Sequence, residues 1–369
     1  MTSVNELLAS ESVRHQVQLH KYSNESVRKM VAALNRADAN LRSALMSVLS
    51  QISPSEFQVD RLESLLGSVR SINTQAYGQL NEELKTELKA FIDYETAYQT
   101  QLLVNFTPVA VTVASVDVSQ VYAASMSRPF QGTLLRDALS ELETSRAKMV
   151  RQRIAQGFLE NKTTDEIVRS IFGTRANGYA DGFLEGSRRD ARTVTRTALS
   201  HMAGFVKDQQ AAVNVDLIKA VQWQSTLDIR TSSVCQIRDH KLYEPQSHRP
   251  IGHSLSWLGG PGRAHWNCRS SQVFVLKSAK ELGLDSPDVV LRNGTRASMD
   301  GQVAKETNFV GWLKDQSFTR QSDILGPTRA KLLRDGKLSP ERMYDLKGQF
   351  RTLDQLRESD AAAFRRAGL

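Results

Sequence analysis

The chain has 369 residues, of which 40% are hydrophobic and 24% charged, and two of them are cysteines. This length allows two or three domains, each with enough apolar residues to bury a core, which excludes a disordered or fibrous protein. No apolar run approaches the length of a membrane span, and the N-terminus lacks the pattern of a secretory signal. We therefore expect no membrane contact and no disulfide framework.

Basic residues are in moderate excess. Lys and Arg outnumber Asp and Glu by 48 to 40, which gives a net charge of +8. The excess lies after residue 130, because the preceding segment carries slightly more acidic than basic side chains. Such a balance permits salt-sensitive contact with nucleic acid, and it also occurs in proteins that have no such partner.

Residues 1–105 are predicted to form a helical module, because apolar residues recur there at steps of three and four. The first stripe has heptad spacing and comprises Val27, Met30, Leu34, Ala37, Leu41, Ala44 and Val48. We interpret it as the face of a helical bundle, with a helical hairpin or a partner helix as the alternative. Ser53-Pro54 then gives a stop signal, after which the apolar spacing predicts a second helix over 59–72 and a third over 80–98.

Residues 106–132 are predicted to be an extended linker, because the composition changes to Thr, Val and Ala with alternation at Val109, Val111 and Val113. Helical spacing returns over 133–160. One side of this helix is basic and carries Arg146, Lys148, Arg151 and Arg153. These four residues are candidates for contact with the phosphates of DNA, and a solvated helix face is the alternative.

The next elements are marked by local signals. Thr163 and Glu166 cap a short predicted helix that ends before Gly173. Apolar spacing then predicts a helix over 188–213, and an apolar run predicts a strand over 217–223.

Two polar motifs flank a long loop after this strand. The first is Asp228-Ile229-Arg230-Thr231, followed by Cys235 and Asp239; the second is His265-Trp266-Asn267-Cys268-Arg269, which leads into a strand over 273–276. A loop of this length has no ladder to pair its backbone groups, so polar side chains must hold it. Asp228 suits a turn in which its carboxylate accepts backbone N–H bonds and pairs with a guanidinium.

Cys235, His265 and Cys268 supply three donors of the types that zinc prefers. Asp239, His240 and His253 are candidates for a fourth ligand. We interpret the group as a hydrogen-bonded histidine beside two buried thiols, so that the protein has no cofactor, and a zinc site is the alternative. A thiol hydrolase built from one cysteine, His265 and Asp239 is a further alternative.

The paired motifs, together with the strand that ends at Trp223, resemble the phage Mu protein F-like family of head-morphogenesis proteins. The resemblance implies a mixed domain over 133–278, with a small sheet and a long polar loop. The residues implied to be structural are Trp223, Asp228, Arg230, Thr231, Asp239, Asn267 and Arg269. Family members often carry extra cysteines in this region, and Ser232 and Ser270 stand at those positions here.

Residues 279–369 are predicted to form a basic helical segment, similar to the tail often attached to these phage proteins. Gly326-Pro327 begins a helix that carries Arg329, Lys331 and Arg334, and Thr352 caps another helix. Like the four basic residues of the earlier helix, these three side chains are candidates for contact with DNA or a portal protein.

The predicted class is α+β, predominantly α-helical. The resemblance implies a minor capsid protein at or near the portal vertex, acting in head morphogenesis and in genome packaging or ejection, with no catalytic residues. The implied partners are the portal protein, capsid or scaffolding proteins, its own copies and, without sequence specificity, packaged double-stranded DNA. It would reside in the virion and, during assembly, in the host cytoplasm. The alternatives are an enzyme, either a thiol hydrolase or a toxin-like transferase carried on a phage head protein, and a plain DNA-binding protein.

Overall fold

A computed structural model describes residues 2–49, 59–107, 111–284, 290–291, 295–304 and 306–369 of the chain. The structure is 62% helical and contains small sheets of two to four strands. The predicted class, α+β and predominantly α-helical, is confirmed. No helix within these ranges is long and apolar enough to cross a membrane.

The helices are long in the first half of the chain and short in the second. They are α1 Val4–Leu49, α2 Val59–Phe106, α3 Val118–Ser127, α4 Leu135–Leu159, α5 Thr164–Phe172, α6 Leu184–Val213, α7 Ser233–Gln236, α8 Phe309–Lys314, α9 Phe318–Leu325, α10 Pro327–Arg334, α11 Leu353–Ser359 and α12 Ala361–Ala367. The strands are β1 Thr2–Ser3, β2 Pro129–Phe130, β3 Thr133–Leu134, β4 Ile218–Gln224, β5 Leu242–Tyr243, β6 Pro250–Ile251, β7 Ser271–Leu276, β8 Val290–Leu291, β9 Thr295–Ser298 and β10 Gly301–Ala304.

The chain forms two compact units, and neither is a continuous segment. The first unit consists of Met1–Leu19, Ile92–Val121 and Ser200–Leu369. The second consists of His20–Phe91 and Tyr122–Leu199. The predicted domains follow one another along the chain, with boundaries at 105, 132 and 278, and that division stays a prediction.

The second unit is a helical bundle. Leu34 and Leu41, from the predicted heptad stripe of α1, are buried, as are Val150 of α4 and Ile171 of α5. Leu41 belongs to one apolar cluster with residues of α2, α4 and α5. The stripe is therefore the face of a bundle, as the apolar spacing predicted.

The second and third predicted helices are one helix, α2. The prediction of two separate helices is wrong, because the segment between them, which includes Gly78, is helical and lies inside α2. Tyr77 and Leu80 on either side are buried, at 2% and 1% exposure. Their burial outweighs the cost of a glycine inside a helix, about 1 kcal/mol relative to alanine. The predicted break at Ser53-Pro54 lies outside the described residues.

The segment expected to be an extended linker contains a helix. Residues 112–117 have neither helix nor strand, but Val118–Ser127 forms α3. The carboxylate of Asp117 accepts the backbone N–H of Gln120 at 2.8 Å, which caps the helix. The valine-rich composition that favoured an extended chain ends where this capping signal begins. Val109 lies outside the described residues.

The first unit is built on a four-stranded antiparallel sheet with the order β6-β5-β4-β7. The two strands predicted from sequence, over 217–223 and 273–276, are confirmed as β4 and β7. A buried cluster against this sheet includes Trp223, Tyr243 and Phe274, with Leu8 of α1 and Leu103 of α2. The sheet and this cluster fix the ends of the long loop.

The C-terminal segment forms a second core of the first unit. Helices α8 to α12 bury Trp312, Leu332 and Phe364 in one cluster. Leu227 and Ile237, which belong to the long loop, are members of the same cluster. The predicted helix beginning at Pro327 and the cap at Thr352 are confirmed. The β9–β10 hairpin was not predicted.

Candidate functional site

Strands β4 and β7 bring the two polar motifs together. They pair antiparallel, with Trp223 opposite Gln272 and Gln224 opposite Ser271. Residues that follow β4 and residues that precede β7 therefore leave the sheet at the same end. The motifs lie about 30 residues apart in the chain, but the strand pair makes them neighbours in space.

Asp228 and Arg269 form the first link between the motifs. Arg269 donates from both terminal nitrogens to the two carboxylate oxygens of Asp228, with Nη2 at 2.8 Å from Oδ1. The same carboxylate accepts the backbone N–H of Arg230 at 3.0 Å and the hydroxyl of Thr231 at 3.1 Å. Burial alone would raise the pKa of Asp228, but the hydrogen bonds and charge of Arg269 outweigh it and lower that pKa.

Asp239 is a second link, buried at 3% exposure. Its carboxylate accepts the backbone N–H groups of Ser225 and Phe309, each at 2.7 Å, and pairs with Arg296 at 2.8 Å. It therefore ties the end of β4 to the start of α8 and to strand β9. Arg296 was missed in the sequence analysis, because it stands 57 residues after Asp239 and no spacing joins the two.

Cys235, His265 and Cys268 form a third link, in which all three donor atoms lie within 4.8 Å of one another. The Cys235 Sγ is 3.6 Å from the Cys268 Sγ and 3.3 Å from the His265 Nε2. Both cysteines are free thiols and both are buried, at 2% and 1% exposure. The predicted metal ligands are thus brought together.

The two thiols are not equivalent. The pKa of Cys268 is well below its usual value, first because of its hydrogen bond with the Cys235 thiol and then because His265 lies beside it. The same hydrogen bond, with burial, raises the pKa of Cys235. Burial lowers the pKa of His265, but the hydrogen bond and charge of Cys268 outweigh it and leave that pKa raised.

The three candidates for a fourth metal ligand are held elsewhere. Asp239 is occupied by Arg296 and by backbone N–H groups, and His240 lies 2.9 Å from Arg296. His253 contacts the carbonyl of Leu242 at 2.9 Å. Among the described His, Cys and acidic side chains, the close group holds Cys235, His265 and Cys268 and no fourth.

Serines stand around the cysteine and histidine group. The Ser232 hydroxyl is 2.7 Å from the His265 Nε2. The Ser270 hydroxyl hydrogen bonds the Ser225 hydroxyl at 3.4 Å. Of the two positions at which the sequence lacks extra thiols, Ser232 thus lies against a ligand atom.

The arrangement required for a thiol hydrolase with Asp239 as the orienting acid is not formed. The Nδ1 of His265 lies 2.9 Å from the carbonyl oxygen of Trp266, and Asp239 is engaged by Arg296. A carbonyl oxygen can only accept, so Nδ1 carries the proton and Nε2 faces the sulfur atoms.

The remaining motif residues have different surroundings. Trp223 is fully buried and packs edge-on against Trp257 at 5.7 Å between ring centroids. Asn267 has a left-handed φ of +55°, a conformation that asparagine adopts more readily than most residues. Arg230 is exposed and contributes its backbone N–H to Asp228.

The C-terminal segment contacts the residues around Cys235 in the first motif. The buried guanidinium of Arg238 donates to the carbonyl oxygens of Val234 at 3.0 Å, Ser256 at 2.9 Å and Leu346 at 3.1 Å. Gly348 lies so close that a Cβ there would come within 2.6 Å of the Val234 Cα. Arg238 was not predicted, because its only sequence signal is a charge beside an apolar residue.

The candidate contact residues divide into buried and accessible ones. Arg146 is 1% exposed and pairs with the buried Asp38, so the prediction that it contacts DNA or a portal protein is wrong for this fold. The side chain was placed on the solvated face, but a buried acid draws it inward. Lys148, Arg151 and Arg153 are exposed.

In the C-terminal segment, Arg334 is exposed and Lys331 is half-buried. Arg329 donates to the carbonyl oxygen of Arg351 at 2.8 Å and stacks over the ring of Phe350 at 4.5 Å. Arg334 is therefore the most accessible of the three tail candidates.

No protein family, curated protein or solved structure matches the chain.

Proposed function

We propose that this protein is a minor head protein of a phage, of the Mu F-like class, that acts at or near the portal vertex during head assembly. The observation that supports the proposal best is the meeting of the two motifs on which the resemblance rests. Asp228 of the first motif pairs with Arg269 of the second, and Cys235 of the first meets His265 and Cys268 of the second.

The contact between the two motifs supports the proposal for a physical reason. The β4–β7 pair brings the motifs close together, but proximity alone does not require their side chains to form specific bonds. Residues that specify one structural unit must contact, because each supplies the bonding partner that the other lacks. Asp228 with Arg269 and Cys235 with His265 satisfy that requirement.

Assembly at a portal implies particular partners. The protein would bind the portal protein, capsid or scaffolding proteins or its own copies, and would reside in the capsid interior. Non-specific contact with packaged double-stranded DNA would be a secondary property of the exposed side chains of Lys148, Arg151, Arg153 and Arg334.

Co-sedimentation tests the proposal. The purified full chain is mixed with the portal protein, and separately with procapsids, of the phage whose genome encodes it, and each mixture is centrifuged through a gradient. We expect it to migrate with both assemblies at a salt concentration that screens surface charge. The portal of an unrelated phage is the matched control, and it should leave the protein at the top of the gradient.

Mass spectrometry of purified virions and of assembly intermediates can contradict the proposal, because it shows whether the protein is present in them. If the protein is absent from both, and does not sediment with portal or procapsids, the proposal is wrong.

A further inference from the structure

We propose that Cys235, Cys268 and His265 bind a zinc ion, which fastens the two ends of the long loop to each other. This inference goes beyond the proposed function and does not depend on it. Two sulfur donors and one imidazole nitrogen are the ligand types that zinc prefers in structural sites.

Two of the three donor distances are close to the edges of a tetrahedral zinc site. With zinc bonds of about 2.3 Å to sulfur and 2.0–2.1 Å to nitrogen, a tetrahedron has edges of about 3.8 Å between sulfurs and about 3.6 Å between sulfur and nitrogen. The Cys235 Sγ lies 3.6 Å from the Cys268 Sγ and 3.3 Å from the His265 Nε2. A disulfide would bring the sulfurs to about 2.05 Å.

The imidazole of His265 is oriented as a metal ligand. Its Nδ1–H donates to the carbonyl oxygen of Trp266 at 2.9 Å, which turns the lone pair of Nε2 towards the two sulfurs. Metal-binding histidines usually donate their second ring N–H to a carbonyl or carboxylate in this way, because the bond fixes the tautomer and the ring plane.

The sulfur of Cys268 also has a supporting donor. The backbone N–H of Gly262 donates to the Cys268 Sγ at 3.3 Å. An N–H bond to sulfur stabilises negative charge on it, as a thiolate ligand requires. Gly262 has a φ of +80°, so this donor depends on a backbone conformation that glycine adopts readily.

The surroundings favour a structural ion over a loosely held one. Cys235 and Cys268 belong to the apolar cluster that contains Trp223 and Tyr243. His265 is half-buried and closes the outer side. Zinc would link residue 235 to residues 265 and 268, and so close a segment of about 30 residues that the sheet holds only through the short strands β5 and β6.

The fourth ligand is assigned to the side of Ser232. Its hydroxyl lies 2.7 Å from the His265 Nε2, one of the three donors. The hydroxyl itself, or a water bound to it, would complete the tetrahedron. A thiol at this position would be a stronger ligand than a hydroxyl.

The first experiment measures metal content. The full chain is purified without chelators or a histidine tag, and zinc is determined by plasma mass spectrometry. We expect about one zinc per chain, as for a single structural site. Cys268→Ser and His265→Gln should each lose most of it. His253→Gln, a histidine of the same loop outside the group, should keep it.

Cobalt substitution reports the ligands even if those variants fail to fold. The wild-type chain is stripped with a chelator and titrated with Co²⁺ alone. A tetrahedral site with two thiolates should give intense sulfur-to-cobalt charge-transfer bands and visible ligand-field bands. Weak bands typical of octahedral oxygen coordination would overturn the proposal.

Ser232→Cys tests the fourth ligand position by adding a stronger zinc ligand. If Ser232 faces the ion, this variant should retain zinc against a chelator concentration at least about tenfold higher than the wild type tolerates. Ser247→Cys, in the exposed turn between β5 and β6, is the matched control and should leave retention unchanged.

Two outcomes contradict the site directly. One is a zinc content near zero with both thiols alkylated rapidly in the native protein. The other is a disulfide between Cys235 and Cys268, seen as two cysteines that can be alkylated only after reduction. Neither outcome affects association with a portal, so failure of the zinc proposal and failure of the proposed function are distinguishable.

Discussion

At the scale of single residues, the loop is held by carboxylates that gather donors from distant parts of the chain. Asp228 accepts from Arg230, Thr231 and Arg269, and Asp239 joins three segments through Ser225 and Arg296 and through Phe309. A carboxylate suits this task because it offers about four lone-pair sites and no donor of its own. Removing one therefore leaves several donors without a partner.

Asp228→Asn is expected to lower the free energy of unfolding by about 1–2 kcal/mol at neutral pH, because the charge-assisted bonds to Arg269 are weakened. Urea denaturation followed by circular dichroism measures the change. Arg230→Ala is the matched control: it removes the neighbouring exposed side chain but keeps the backbone N–H, and should change stability by less than about 0.5 kcal/mol. Equal losses in the two variants would contradict the assigned role.

The difference in stability between the wild type and Asp228→Asn should depend on pH, and its sign follows from the pKa of Asp228. The folded protein lowers the pKa of Asp228, whereas the unfolded chain has a carboxyl pKa of about 3.9. The stabilisation is therefore fully present above that pH and is lost as the pH falls towards the folded-state pKa. The gap between wild type and Asp228→Asn should narrow below about pH 4. A gap that widens on acidification would contradict the prediction.

At the scale of elements, the short C-terminal helices serve as a support for the loop. Gly348 packs against the backbone of Val234 at the start of α7, and Arg238 donates across the same contact to Leu346. The tail and the first motif therefore share one interface within the first unit.

Gly348→Ala is expected to destabilise the protein by about 1–3 kcal/mol more than Gly326→Ala does. Both glycines have a positive φ, +86° and +80°, so both variants incur backbone strain. Only at Gly348 would the new Cβ meet backbone atoms, because nothing lies within 4 Å at Gly326. Thermal unfolding of the two variants measures the difference, and similar melting temperatures would argue against tight packing between the tail and α7.

The elements that could be predicted from sequence are those with local signals. Thr163 and Glu166 form the capping box that their spacing indicated, and Thr352 caps α11 with Gln355. Helix α3 and the β9–β10 hairpin were missed. The cap of α3 is a single Asp117 after a valine-rich run, and the hairpin is fixed by tertiary contacts such as the bond from Met299 to Leu227.

At the scale of the whole molecule, the net charge of +8 does not show which basic side chains are exposed to solvent. Arg146 and Arg238 are buried and partnered, whereas Lys148 and Arg153 are exposed. Candidates for nucleic-acid contact must come from the exposed group. The sequence placed the basic residues on a helix, but it could not show which of them a buried acid such as Asp38 would draw inward.

The double variant Lys148→Gln with Arg153→Gln is expected to bind double-stranded DNA more weakly at low salt, with the logarithmic salt slope reduced by about 2. Electrophoretic retardation over a range of salt concentrations measures it. Arg230→Gln removes one exposed charge in the other unit and serves as the control. An unchanged slope in the double variant would remove these two residues from any DNA contact.

The candidate site could be predicted only in part, because some of its contacts join segments that are distant in the sequence. Sequence pattern selected Cys235, His265, Cys268, Asp228 and Arg269, because motif residues of this kind stand out from their neighbours. It missed Arg238 and Arg296, whose partners are carbonyl oxygens and carboxylates supplied by distant segments. Such pairings depend on the tertiary fold and leave no trace in local spacing.

The turn between β5 and β6, from Glu244 to Arg249, lies between the two anchored ends of the loop, nine residues after Cys235 and 16 before His265, and is closed by a backbone bond of 3.0 Å. A chain cut there would leave Cys235 on one fragment and His265 on the other, yet the β4–β7 pair would still hold the fragments together. Added sequence at this turn is also inexpensive, since each doubling of a flexible loop costs only about 0.6 kcal/mol. The turn is thus a natural place for an inserted label that would report on the protein inside an assembled particle.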